Sequence, residues 1–251
     1  MRLAQVQTRS AEPIQSGGLE KADRLWHLKR AGLAEGLTQT ELQQLALACI
    51  DRVFAKEETI YHQDRPANTF YILNRGTVRT SACTGEGREK ITGFLRAGSV
   101  FGVEVISPGR RRTGQAVAHR ESWVFQIEME ALLNLMRQIP ALNWNLVQVL
   151  NAKLREAMQE IEILSFRNTE QRLAYQLIKL CDEHGRELVT RHGLVKLPIS
   201  VSHEQLAQLI GANRPHVSSI MSELRREGCI DYQKRKLIIH PGKLGGHFQE
   251  T

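Results

Sequence analysis

Six apolar residues, Val147, Leu150, Leu154, Ala157, Ile161 and Leu164, recur at steps of 3, 4, 3, 4 and 3. This is the a and d spacing of a two-stranded coiled coil. A helix of about 25 residues with so narrow a stripe buries it best against a copy of itself, which predicts a symmetric dimer. Leu142, Leu146 and Val149 lie off the seam and are free to hold the helix to its own domain.

Before this helix the hydrophobic period is different. Between Thr59 and Ile127, short runs rich in Ile, Val, Phe and Thr are broken at Gly76, Gly85, Gly87, Gly98 and Gly109. Turn residues at such regular spacing indicate an antiparallel sandwich or barrel. Leucines between Leu25 and Leu47 fall at helical steps around Gly36, suggesting two short helices, and residues 1–24 read as a polar, loosely ordered tail.

Composition limits the function classes. Lys plus Arg number 34 against 27 Asp plus Glu, so the chain carries +7 and favours an anionic partner. The cysteines at 49, 83, 181 and 229 are too far apart for a zinc knuckle or a clustered iron–sulfur set, and read as reduced thiols. The histidines lack metal-ligand spacing, so no metal or cofactor is expected. The N-terminus is polar and no 18 apolar residues run uninterrupted, which predicts a cytoplasmic protein that avoids the membrane. There is no Gly-rich phosphate loop, nucleophile elbow or spaced acidic pair, so no catalytic role is expected.

After Phe166 a further domain begins. Asn168 with Gln171 forms a capping box that opens a helix faced by Leu173, Leu177 and Leu180. Val195, Leu197 and Ile199 then alternate as a short strand. From His203 to Ser222 the order is two short helices bent at Gly211, with Ser202 and Gln205 as a second capping box. Ala207 is small where the helices cross, and Leu206, Ile210, Val217 and Ile220 supply their shared core. This is a helix-turn-helix pattern. The second helix starts at its cap Asn213 and exposes Arg214, His216, Ser218, Ser219 and Glu223, and Ser202, Asn213, Arg214, Pro215, His216, Ser218 and Ser219 are the residues of this motif expected to meet DNA. Lys234, Arg235 and Lys236 form the basic tip of a following hairpin, suited to phosphate contact as a wing. Residues 167–251 hold 13 Lys plus Arg and 9 Asp plus Glu, an excess of only 4, so their charge must act by placement.

From residue 25 onward the order of elements resembles the cAMP-receptor/FNR superfamily of bacterial transcription regulators. The resemblance is carried by Asn68 to Gly76, Gly98-Ser99-Val100-Phe101-Gly102, the long helix, and Leu206 to Ile239. Within it the chain is most similar to the nitrogen-control regulators, the NtcA-like proteins, through Ser99 to Val103, Ala116-Val117-Ala118 and Gln171-Arg172-Leu173. The resemblance implies an α+β fold. Its parts are a cyclic-nucleotide-binding-like β jelly roll over 25–138, a dimerisation helix over 139–166, a winged helix-turn-helix over 167–244 and a C-terminal tail over 245–251. It implies a homodimer on a palindromic double-stranded DNA operator, with RNA polymerase as a further partner.

In cAMP-binding relatives a Phe-Gly-Glu turn takes the ribose hydroxyl and an Arg-Ser pair takes the phosphate. Here the turn is Phe101-Gly102-Val103 and Arg112-Thr113 stands later, so the missing carboxylate disfavours cAMP by about 1–3 kcal/mol. Glu104, one residue on, is expected across a strand on the other side. NtcA-like proteins hold 2-oxoglutarate with the same turn and a following Arg, which implies 2-oxoglutarate or another small anion here. The implied effector set is Phe101, Gly102, Val103, Glu104, Arg112, Thr113, Lys153 and Met158. Lys153 and Met158 stand where the family places an Arg and a Glu on the long helix, at g and e of the heptad beside the seam. Lys153 keeps the charge without the two-pronged geometry of Arg, and Met158 gives up the carboxylate. Two rivals stay open at this point. One is a DNA-binding regulator without a small-molecule effector; the other is a metabolite-binding module that has lost specific DNA binding.

Overall fold

The computed structural model describes residues 21–107, 109–187, 193–234 and 236–249. Helices α1 (Lys21–Lys29) and α2 (Gln39–Ala48) lead into strands β1 (Ile50–Phe54), β2 (Thr59–Tyr61), β3 (Thr69–Arg75) and β4 (Val78–Cys83). Strands β5 (Glu89–Leu95), β6 (Val100–Phe101), β7 (Gln115–Ala118) and β8 (Ser122–Glu128) complete a sandwich. Its two antiparallel sheets are ordered β1-β8-β3-β6 and β2-β7-β4-β5. This is the predicted jelly-roll-like domain.

Strand β3 is apolar from Phe70 to Leu73 because both of its faces are covered there. Tyr71 and Leu73 point between the sheets, while Phe70 and Ile72, on the opposite pleat, pack against the helices. Those helices are α1, α2, α3 (Met129–Gln138) and the start of α4 (Pro140–Phe166). Helix α1 begins at Lys21, inside the stretch read from sequence as a tail, because Leu28 on its inner face is fully buried.

Helix α4 has 27 residues and spans about 40 Å. Its first turns are anchored by buried Leu142 and Leu146. Beyond them Val147, Leu154 and Ile161 are 56%, 55% and 64% exposed, large apolar side chains left uncovered on a single chain.

The C-terminal part comprises α5 (Thr169–His184), β9 (Arg186–Glu187), β10 (Val195–Lys196), α6 (His203–Ile210) and α7 (Arg214–Arg226). It ends with β11 (Ile230–Gln233), β12 (Lys236–Ile239) and α8 (Pro241–Gln249). Both capping boxes read from sequence are formed, at Asn168 with Gln171 and at Ser202 with Gln205. The sequence reading had residues 245–251 as a tail. Instead α8 continues through that boundary to Gln249, Leu244 is fully buried, and the helix packs on α5.

The C-terminal part docks on the outer face of β5. Ile91 and Phe94 are buried in the same apolar cluster as Leu173, Leu177, Leu206 and Leu209. Lys90 donates to Glu160 Oε1 at 2.8 Å and also to the Leu209 carbonyl. Two histidines cross the junction in opposite directions. His119 Nε2 donates to the Ser200 carbonyl at 2.8 Å, and His184 Nε2 donates to the Phe94 carbonyl at 2.8 Å. A carbonyl only accepts, so Nε2 carries the proton in both rings. The His119 ring also meets Phe94 edge-on at 4.9 Å.

Burial lowers the pKa of both histidines below 6.5, outweighing the carbonyl bonds that raise it. The unfolded chain therefore binds protons that the folded chain refuses. The stability from the neutral rings is complete above 6.5 and is lost as pH falls from there toward the folded values. Thermal unfolding between about pH 7 and pH 5 should show a falling midpoint. The double variant His119→Gln and His184→Gln, which keeps amide donors but cannot charge, should flatten that dependence. Parallel pH profiles for the two proteins would contradict the assignment.

Candidate ligand pocket and nucleic-acid interface

The pocket begins at a turn that needs glycine. Gly102 has φ of 72° and ψ of 31°, and it opens a short 3-10 turn over Val103–Ile106. A Cβ at this position would lie 2.6 Å from an Arg112 guanidinium nitrogen and 2.7 Å from the Tyr71 ring. Arg112 is only 2% exposed. It donates to the Gly102 carbonyl at 3.0 Å, the Thr69 carbonyl at 2.6 Å and Glu104 Oε2 at 3.3 Å. Its guanidinium carbon lies 4.3 Å from the centre of the Tyr61 ring and 5.4 Å from that of Tyr71, which itself stacks on Phe101 at 4.9 Å.

Behind this turn lies a cavity of about 180 Å³. Of the implied effector residues, Phe101, Gly102, Val103, Glu104, Thr113 and Lys153 line it, and Arg112 and Met158 do not. Arg112 was expected to clamp a ligand carboxylate. Its two terminal nitrogens donate to protein oxygens and so hold the turn, while its Nε is buried without a hydrogen-bond partner among the described residues. Met158 is 60% exposed and shares the uncovered side of α4 with Leu154 and Ile161.

Glu104 is a second departure. The alternation argument placed it across a strand, but residues 103–106 are helical and strand alternation does not apply to them. Its Oε1 accepts from the Thr113 hydroxyl at 2.8 Å and from the Thr113 backbone N–H at 3.4 Å. Burial, and then the nearby Glu104, push the Tyr61 hydroxyl pKa well above its ordinary value. Lys153 approaches the same cavity from α4 and makes no hydrogen bond or ion pair among the described residues. Tyr61, Ser81 and Gln115 also line the cavity and went unnoticed in the sequence. They come from separate strands and share no motif.

In the C-terminal part, Gly211 at φ of 65° turns α6 into α7. The Asn213 side chain caps α7, accepting from the His216 backbone at 3.0 Å. Val217, Ile220, Met221 and Leu224 face inward, leaving Arg214, Pro215, His216 and Ser219 along the other side. Arg214 makes no hydrogen bond or ion pair among the described residues. Ser218 is half-buried and shares a 2.9 Å hydrogen bond with His203 Nδ1, while His203 Nε2 meets the Tyr232 hydroxyl at 3.2 Å. Ser202 is taken up as the cap of α6.

The wing joins β11 to β12 in a sheet ordered β11-β12-β10-β9. Lys234 is exposed at its turn with φ of 49°, and Arg235 lies outside the described residues. Lys236 was expected to reach phosphate with them. Its ammonium instead donates to the Pro198 carbonyl, and burial together with Arg120 and Lys196 lowers its pKa.

A β sandwich with a solute-sized cavity, a long helix and a winged helix-turn-helix define a DNA-binding transcription regulator. Residues 51–139 match the cyclic nucleotide-binding domain and residues 171–244 the Crp-like helix-turn-helix domain. The chain is 30% identical over 204 residues to the cyclic AMP receptor protein of Thermus thermophilus, covering 81% of this chain and 89% of that one. It is 29% identical over 189 residues to the global nitrogen regulator of Synechocystis, covering 74% and 83%. A solved transcriptional regulator of the CRP family, also from Thermus thermophilus, shares the fold with a TM-score of 0.67 at 26% identity, covering 80% of this chain and 97% of that one. The chain belongs to the CRP/FNR family of transcription regulators, which are not enzymes.

The inward role of Arg112 has a direct consequence. Arg112→Met should cost about 3 kcal/mol of stability, because it strands two carbonyls and the Glu104 carboxylate in a buried setting. Urea unfolding measures this. A variant as stable as the parent would show that the guanidinium is dispensable to the fold.

Proposed function

We propose that the protein regulates transcription as a homodimer joined along α4. It would read a palindromic operator, with a small carboxylate-bearing ligand in the sandwich cavity setting its DNA affinity. One observation carries the dimer: the uncovered stripe of Val147, Leu154, Ile161 and Leu164, which continues a helix already anchored at its other end. Patches of this kind mark an interaction surface, and the heptad spacing suits a second copy of the same helix.

Arg214 is the side chain best suited to pair with a guanine, at the start of α7 where a recognition helix meets base edges. Ser219 is too short for a two-pronged guanine contact, and Pro215 offers no acceptor for a cytosine amine. The operator halves should therefore sit about 10 base pairs apart, each anchored by one guanine. The cavity is smaller than the roughly 300–1,000 Å³ of typical ligand sites, and Arg112 is not among the residues that line it. Both features disfavour a cyclic nucleotide. What remains for a carboxylate is Lys153, which reaches the cavity from the dimer helix.

Leu154→Glu with Ile161→Glu would set like charges across a dry seam. Sedimentation should find a monomer with a far weaker hold on palindromic DNA; an intact dimer would place the interface elsewhere. Arg214→Ala should lose about 1–3 kcal/mol of discrimination at one base pair per half-site. Binding selection with the variant reads this directly, and an unchanged consensus would remove Arg214 from base reading. Lys234→Ala should weaken binding to all sequences alike and lower the salt slope by about one unit in a salt titration. A sequence-selective loss would contradict a phosphate contact.

A further inference from the structure

Among the described residues lining the sandwich cavity, Glu104 and Lys153 carry the only formal charges. They stand on different elements, the 3-10 turn after Gly102 and helix α4. The cavity is thus dipolar, with one acceptor carboxylate and one ammonium.

A carboxylate can accept about four hydrogen bonds. Thr113 supplies two to Oε1 and Arg112 one to Oε2, which leaves room for a donor from a ligand. Arg112 is not among the residues lining the cavity, and its terminal nitrogens are held by the Gly102 and Thr69 carbonyls. The Arg112 guanidinium offsets much of the Glu104 charge, so a dicarboxylate would have one end at Lys153 and the other against a paired acceptor that offers it no donor. An ammonium at the second end meets an acceptor instead.

Size narrows the class further. At about 180 Å³ the cavity is small beside the roughly 300–1,000 Å³ of typical ligand sites, which favours a small solute. Leu95, Phe101 and Val103 add an apolar wall for a short side chain. Nearby, the Ser81 hydroxyl and the Gln115 amide are already tied to Glu89, at 2.6 and 3.1 Å.

We propose that the cavity binds a small α-amino acid, with its ammonium on Glu104 and its carboxylate on Lys153. This rests on the reading that the cavity is the effector site. Glu104 is then the residue that selects an amino acid over the 2-oxo acid of the same carbon skeleton.

Calorimetry on the full chain can separate the two, because each amino acid and its 2-oxo acid differ only at the position facing Glu104. The probes are alanine, serine, valine, leucine, aspartate and glutamate, each beside its 2-oxo acid. At least one amino acid should bind about tenfold or more tightly than its partner. Glu104→Gln should erase that preference, and Lys153→Met should weaken both members of the pair. Circular dichroism checks that each variant folds; if Glu104→Gln does not, the parent's preference within pairs and Lys153→Met still decide. Equal or tighter binding of the 2-oxo acid in every pair would overturn the proposal. If 2-oxoglutarate alone binds and shifts DNA affinity, the effector reading stands and the amino-acid assignment is wrong. If no probe of either kind binds while the protein still holds its operator, the cavity reading fails as well.

Discussion

The sandwich half of the molecule is organised around one buried cation, Arg112. Taking the Arg112 guanidinium out of water is costly unless oxygens and ring faces surround it. Here the Gly102 and Thr69 carbonyls, the Glu104 carboxylate and the rings of Tyr61 and Tyr71 do so. These contacts tie β3, on which Thr69 and Tyr71 stand, to the turn after β6. They also leave no space for a side chain at residue 102. The same arrangement sets Glu104 at the cavity wall. The shape and charge of the cavity thus depend on how a residue outside its lining is held.

Helix α4 joins the regions where function is exerted. Leu142 and Leu146 root it in the sandwich core, Lys153 reaches the cavity, and Glu160 pairs with Lys90 on β5. Its uncovered stripe faces outward between these contacts. The DNA-reading helices rest on β5 through Ile91 and Phe94, so a shift of α4 relative to the sandwich bears on the same junction. Under the proposed function, a ligand at Lys153 would alter DNA affinity only to the extent that it bound one such arrangement better than another.

Features set by local spacing were legible in the sequence. The heptad, the turn glycines, both capping boxes and the Ala207, Gly211 and Val217 pattern depend on neighbours a few residues apart, and those rules operate over that range. Where the reading went astray, distant contacts decided. The contacts that hold Arg112 could not be read from the sequence, because the Thr69 carbonyl and the Tyr61 ring lie 43 and 51 residues away. Lys236 looked free because its acceptor is Pro198. Glu104 was assigned by strand alternation in a segment that turns helical after a left-handed glycine. Helix α8 was hidden by Gly242, Gly245 and Gly246, whose low helix propensity is overcome by burial of Leu244. The docking of α6 on β5 pairs residues more than a hundred positions apart and leaves no periodic trace.

In the proposed function two chains, joined along α4, read one operator together. This joint reading is tested most directly by measuring how many chains bind a duplex, using sedimentation of the full chain with a selected palindrome and with an isolated half-site. Two chains on the palindrome, with the half-site bound orders of magnitude more weakly, is the predicted result. A single chain per duplex, holding the half-site as tightly as the palindrome, would contradict it.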